Sequence, residues 1–127
     1  MQEIALSNNL AQIEVQIQTL TETANNSIWE IGRRFNHVKE KDLTHGQFTE
    51  WVEKQGFHIR EAQRLMKIAS DVPKTTTLSH LGVNNLYLIA TLPDDEKQTQ
   101  LDRIESGDNP TVRELQEVRR QLNLAKI

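Results

Sequence analysis

A single row of apolar residues at helical spacing runs through the first third of the chain. Its members follow steps of three and four residues over about nine helical turns. The row comprises Leu6, Leu10, Ile13, Ile17, Leu20, Ala24, Ile28, Ile31, Phe35 and Val38. A helix of this length with one apolar face needs a partner to cover that face. The chain is therefore expected to be all-α and to begin with a long amphipathic helix.

The row is interrupted near its middle by weak helix formers. Asn25, Asn26 and Ser27 separate Ala24 from Ile28, and such residues bend or break helices. Residues 5–24 are interpreted as an arm, and 28–41 as the first helix of a domain, either continuous with the arm or kinked. Two chains are expected to pair through the arm as a homodimer in a coiled-coil manner; the alternative is that the arm folds back on its own domain. The pairing residues would be Leu6, Leu10, Ile13, Ile17 and Leu20.

Residues 44–71 predict two short helices joined by a tight turn at Gly56. Thr44 followed by Gln47 has the form of a capping box, which predicts the first helix start. Phe48, Trp51 and Val52 are expected on the inner side of this helix. The second helix is predicted from about 58 to 71, because apolar residues recur there at three- and four-residue steps. The spacing is that of a helix-turn-helix.

The polar face of the second predicted helix carries residue types that read DNA. Arg forms two hydrogen bonds with guanine, Gln does so with adenine, and Lys meets phosphate. Arg60, Gln63 and Arg64 are expected to face bases, and Lys67 and Lys54 the backbone. His58 lies at the start of the same face. The alternative is an ordinary helix pair with a solvated charged face.

The rest of the chain predicts a helical extension. Residues 72–82 are interpreted as an irregular connector of about ten residues. Helices are then expected at 84–92, from Pro93 to Ser106-Gly107, and from Thr111 onward, where Thr111 and Glu114 form a capping box. The predicted organisation is an arm at 1–27, a helix-turn-helix domain at 28–72 and an extension at 73–127.

The run from Ile28 to Ala69 resembles a domain of otherwise unknown function carried by phages, plasmids and integrative elements, mostly of Gram-positive bacteria. The resemblance depends on an I-x-x-I-G helix with a following Lys, an H-G-x-[FW]-x-x-W segment and a helix with A-x-x-x-[ML]. The matching residues are Ile28, Ile31, Gly32, Lys39 or Lys41, His45, Gly46, Phe48, Trp51, Ala62 and Met66. Locally, the chain also resembles the helix-turn-helix of plasmid partition and repressor proteins of the ParB and KorB kind. The resemblance implies DNA binding in a mobile element.

Charge and composition narrow the function classes. The net charge is −3, which argues against indiscriminate nucleic-acid coating. Residues 28–74 nevertheless hold nine basic and seven acidic side chains, a balance of +2. The absence of cysteine fits a cytoplasmic protein, and no apolar run approaches a membrane span. No metal motif, cofactor loop or nucleophile motif stands out, so an enzyme is not expected.

These observations predict a sequence-specific double-stranded DNA-binding protein of a mobile element, acting in transcription, replication or partition. The alternative is a helical interaction module that binds a host protein as adaptor or inhibitor.

Overall fold

The computed structural model of the chain describes residues 5–41, 45–75 and 78–125. Regular structure within these ranges is entirely helical, which confirms the all-α prediction. The helices are α1 (Leu10–Lys39), α2 (His45–Lys54), α3 (Ile59–Asp71), α4 (Val83–Ala90), α5 (Asp94–Glu105) and α6 (Val112–Ala125), with a short 3-10 helix at Leu78–His80. The capping box predicted at Thr44 lies outside the described residues.

α1 is one continuous helix of 30 residues, so no break separates the predicted arm from the predicted first helix at Asn25-Asn26. The hydroxyls of Thr19, Thr23 and Ser27 each donate to the backbone carbonyl four residues earlier, at 3.0–3.1 Å. Their polar groups are thus satisfied along the helix surface without displacing a backbone hydrogen bond. The arm and the first helix of the domain therefore form a single rod.

The start of α1 is fixed by a side-chain cap. The Asn9 side chain accepts a hydrogen bond from the backbone N–H of Gln12 at 3.1 Å, so the helix begins at Leu10. Leu6 precedes the helix and is 81% exposed. The expectation that the helical row starts at Leu6 is wrong, because the Asn9 cap places this residue before the first turn.

α1 and α3 run antiparallel and meet at a glycine. A Cβ built on Gly32 would lie 2.1 Å from the backbone oxygen of Leu65 and 2.9 Å from the Cβ of Ala69. Both distances are far below van der Waals contact, so no larger residue fits unless the helices separate. Gly32 therefore sets how closely the two helices approach.

Hydrogen bonds on either side of this contact fix the register of the two helices. The Trp29 indole N–H donates to the backbone carbonyl of Val72 at 2.9 Å. One helical turn beyond Gly32, the Asn36 amide donates to the carbonyl of Met66 and the hydroxyl of Ser70, both at 3.1 Å. The bonds to Val72 and Met66 lie in buried and half-buried surroundings, so a slip of one helix would leave their groups unpaired.

An aromatic cluster fills the space between α1, α2 and the turn that follows α2. The Phe35 ring meets Trp51 edge-on at a centroid distance of 5.9 Å, and meets Phe57 edge-on at 5.3 Å. Phe48 stacks on Trp51 at 6.2 Å. Phe48 and Val52 are buried and Trp51 is half-buried, which confirms the predicted inner side of α2.

The buried core continues into the C-terminal half of the chain. Leu86 and Ile89 of α4, Ile104 of α5 and Leu115 of α6 are fully buried, and they belong to the same cluster as the core residues of α1 and α3. The segment predicted as an irregular connector contributes as well. Its Leu78 and Leu81 are buried around the 3-10 helix, which packs against α1.

Turn and cap residues place the later helices as predicted. Gly107, which follows α5, has a φ of +93°, a value that glycine adopts without strain. The Thr111 hydroxyl accepts from the backbone N–H of Glu114 at 3.1 Å, which confirms the predicted capping box of α6.

The glycine contact can be tested with a matched pair of substitutions. Gly32→Ala is expected to lower the free energy of unfolding by about 1–3 kcal/mol, because the methyl group overpacks the α1–α3 interface. Gly46→Ala in α2, where a Cβ would meet nothing within 4 Å, should leave stability unchanged or raise it by up to about 1 kcal/mol. Urea unfolding measures both, and equal effects would show that the close approach does not limit the packing.

Candidate nucleic-acid interface

α3 is supported by α1 along one side, by α4 along another and by α2 at its N-terminal end. Ala62, Leu65, Met66 and Ile68 are buried against these supports. The remaining side of the helix faces solvent and consists mainly of polar and charged residues. The exposed residues are Arg60, Glu61, Gln63, Arg64, Lys67 and Ser70.

Two of the residues predicted to contact bases extend from α3 without a partner. The side chains of Arg60 and Gln63 are exposed, and neither makes a hydrogen bond or ion pair within the part of the chain that the structure describes. They are three residues apart, so they are neighbours on the helix surface. Their donors and acceptors are available to a ligand.

Arg64 is directed toward α4. Its guanidinium lies 5.0 Å from the centroid of the Tyr87 ring, and its Nη1 donates to the side-chain oxygen of Asn84 at 3.4 Å. A cation over an aromatic face is a favourable arrangement at an exposed site. The structure thus places Arg64 to one side of Arg60 and Gln63, at the border between α3 and α4.

The two predicted phosphate-contacting lysines differ in their surroundings. Lys67 forms an ion pair with Asp71 one turn later on α3. Lys54, the last residue of α2, is exposed and has no charged partner within the described ranges. Only Lys54 has its full charge available without first giving up an ion pair.

His58 caps the N-terminus of α3. Its Nδ1 accepts a hydrogen bond from the backbone N–H of Arg60 at 3.1 Å, and its backbone is extended, as at a helix N-cap. The ring therefore does what Ser, Thr, Asp or Asn does at most helix starts. Gly56, two residues earlier, has a φ of +90° and turns the chain between α2 and α3.

A groove of about 540 Å³ runs beside α3, between α4 and α6. Its lining includes three guanidinium groups and no carboxylate. The lining residues are Arg64, Asn84, Tyr87, Leu88, Val112, Gln116, Arg119, Arg120 and Asn123. Sequence spacing placed Arg119 and Arg120 outside the apolar side of α6, but it gave no reason to bring them next to α3.

The three arginines of the groove are not equally available. Arg120 forms a two-pronged ion pair with Glu117, with distances of 2.7 and 3.0 Å. The hydrogen bonds from Arg120 and from Gln121 lower the pKa of Glu117 to about 2, so this pair stays ionised at physiological pH. Arg119 is exposed and has no side-chain partner within the described part of the chain.

On the α1 side of α3, one carboxylate pairs with three basic side chains. Glu30 of α1 receives a hydrogen bond from Arg34 at 2.9 Å and lies within 3.6 Å of both Arg33 and Lys74. The Arg34 hydrogen bond, followed by the charge of Arg33, holds the pKa of Glu30 below its ordinary value. Both flanks of α3 therefore keep an excess of basic side chains, and the groove differs in holding Arg119, which has no side-chain partner within the described residues.

Neither a metal cluster nor a membrane span is found among the described residues. They contain no group of three or more His, Cys, Asp or Glu placed to hold a metal ion. None of their helices combines the length and apolar character needed to cross a bilayer.

Most of the chain matches one protein family. Residues 4–121 match the family model described as protein of unknown function, DUF3102, and the chain belongs to this family. No curated protein and no solved structure matches the chain.

The cap made by His58 can be separated from a role in binding. His58→Ala should destabilise the fold by about 0.5–2 kcal/mol, because the first turn of α3 loses its side-chain acceptor. His58→Ser should retain wild-type stability, since serine supplies the same acceptor. Thermal unfolding followed by circular dichroism measures both. Wild-type stability of the alanine variant would mean that the ring does not contribute as a cap.

Proposed function

We propose that the protein binds a specific double-stranded DNA site and acts as a regulator, with α3 as the reading helix. The observation that carries this proposal is the pair Arg60 and Gln63, exposed and unpartnered on a helix that is buried along its other side. A helix-turn-helix presents its second helix to the major groove in this way. The setting in a mobile element rests on the resemblance of residues 28–70.

Rigid support of α3 favours base recognition. The Gly32 contact and the hydrogen bonds of Trp29 and Asn36 hold α3 against α1. A helix that is already fixed loses little backbone freedom when it binds, so less of the contact energy is spent on ordering the backbone. Each two-pronged contact to a base is worth roughly 1–3 kcal/mol against the wrong base.

The weak overall charge favours binding by two linked copies. With a net charge of −3, one chain has little non-specific attraction for the phosphate backbone. Linking two reading helices raises the effective concentration of the second once the first is bound. The proposed function therefore includes a homodimer.

The N-terminal half of α1 offers the surface for such a dimer. The apolar row that packs against the domain at Ile28 and Phe35 continues toward the N-terminus, where Leu10, Ile17 and Leu20 are 73%, 57% and 69% exposed. We propose that the same row of a second copy covers them. α1 is continuous through Asn25 and Asn26, and these three side chains are left exposed by the rest of the described chain.

The exposed row also favours a second candidate function. A helix of a host protein would cover Leu10, Ile17 and Leu20 equally well, and the chain would then act as an adaptor or inhibitor. The two candidates differ in what the purified chain does alone: a DNA-binding homodimer pairs and binds duplex without any other protein.

Base reading by α3 is tested with the double variant Arg60→Ala/Gln63→Ala. Binding to a site selected from random duplexes should lose most of its preference over unrelated sequence, about 10-fold or more. Arg113→Ala on α6 removes the same charge from an exposed position outside the groove and should retain the preference. Fluorescence anisotropy measures both variants. Equal preference in the double variant and the control would exclude α3 as the reading helix.

Pairing through α1 is tested with two single variants, each of which introduces an aspartate, at positions two residues apart. Ile17→Asp should yield monomers, because it places a charge within the apolar row. Val15 is 60% exposed, close to the 57% of Ile17, but it lies about 200° around the helix, so Val15→Asp should remain dimeric. Sedimentation velocity at micromolar concentration distinguishes the two. A wild-type monomer, or equal behaviour of both variants, contradicts the pairing surface.

A further inference from the structure

The groove between α3, α4 and α6 carries positive charge that the folded chain does not use. Arg119 has no partner within the described residues, and Arg64 is oriented by Tyr87 and Asn84 without a carboxylate. The amides of Gln116 and Asn123 also line the groove, and neither makes a hydrogen bond to another described side chain. The groove thus combines guanidinium and amide donors with no anionic group of its own.

We propose that this groove binds the phosphate backbone of the DNA duplex alongside the bases that α3 reads. The inference rests on the proposed function and adds a backbone-contacting surface to it, with Arg119 as its principal contact. Arg64 belongs both to the exposed side of α3 and to the wall of the groove. A DNA strand that leaves the edge of α3 next to Arg64 therefore continues into the groove.

The chemistry of the lining favours a phosphodiester over an acidic peptide. Guanidinium and amide groups donate several hydrogen bonds, and phosphate oxygens accept them. A peptide docked between helices would also need apolar pockets for its side chains. Apart from the Tyr87 ring, which is already covered by Arg64, the apolar lining is limited to Leu88 and Val112.

Glu117 limits the charge of the groove. It binds Arg120 through both carboxylate oxygens and also accepts from Gln121. Replacing this carboxylate with a neutral amide weakens the hold on Arg120 and removes a negative charge beside the groove. Glu117→Gln should therefore strengthen backbone binding, whereas Arg119→Ala should weaken it.

The experiment uses the full chain and labelled duplexes of about 30 base pairs, long enough for two half-sites. One duplex carries a selected site and the other a mixed sequence, and binding is measured across a range of salt concentrations. Arg119→Ala should bind both duplexes about 10-fold more weakly, with the salt slope reduced by about one for each reading unit. Arg113→Ala removes the same charge elsewhere on α6 and should change affinity much less.

The gain-of-binding variant has its own control. Glu117→Gln should bind both duplexes several-fold more tightly, whereas Glu105→Gln, which neutralises an exposed and unpaired carboxylate at the end of α5, should have little effect. Melting temperatures of the arginine variants should equal that of the wild type, because neither Arg119 nor Arg113 makes a side-chain hydrogen bond or ion pair within the described residues.

The outcomes separate this inference from the function on which it rests. Equal affinities of Arg119→Ala and Arg113→Ala, with selectivity still lost in Arg60→Ala/Gln63→Ala, would overturn the groove and leave the reading helix in place. A wild-type chain that binds neither duplex would overturn both. Binding of polyglutamate that depends on Arg119, in the absence of duplex binding, would mean that the groove takes an acidic peptide.

Discussion

The close approach of α1 and α3 at Gly32 is the contact on which the rest of the structure depends. It brings the Leu65 backbone against α1. It also places Asn36 within hydrogen-bond distance of α3, and Trp29 within hydrogen-bond distance of Val72, which follows α3. With α1 fixed on one side, α4 packs against another side of α3 and brings α6 next to it. The close approach at Gly32 thus fixes the side of α3 that faces α1, and the groove lies beside α3 between α4 and α6.

Local pattern was enough to predict the helices, because helix ends depend on neighbouring residues. Each signal lies within a few positions of the element that it defines. Examples are the apolar spacing of α3, the turn at Gly56 and the capping box at Thr111. The start of α1 was predicted too early because the apolar row includes Leu6, whereas the Asn9 cap makes the helix begin at Leu10. Burial of Leu78 and Leu81 was missed because proline and threonine dominate that segment.

The arrangement of the candidate site could not be predicted in the same way. Arg64 and Tyr87 are far apart in sequence, and so are Arg64 and Arg119, so no periodicity links them. Gly32 belongs to the I-x-x-I-G segment, but the sequence does not predict which backbone it contacts. His58 as a helix cap is also hard to foresee, because Ser, Thr, Asp and Asn dominate that position. Contacts between helices depend on the assembled fold, and one sequence reveals only the surfaces that make them.

The continuity of α1 has a mechanical consequence for any assembly built on its N-terminal half. A single helix connects the exposed apolar row to the helix that supports α3, with no hinge between them. An insertion or deletion of one residue between Leu20 and Ile28 would shift one end by about 1.5 Å and rotate it by about 100° relative to the other. Insertions or deletions of three, four or seven residues, which are close to whole turns, should therefore be tolerated best. In a dimer, the length of α1 would set the separation of the two domains that it would join.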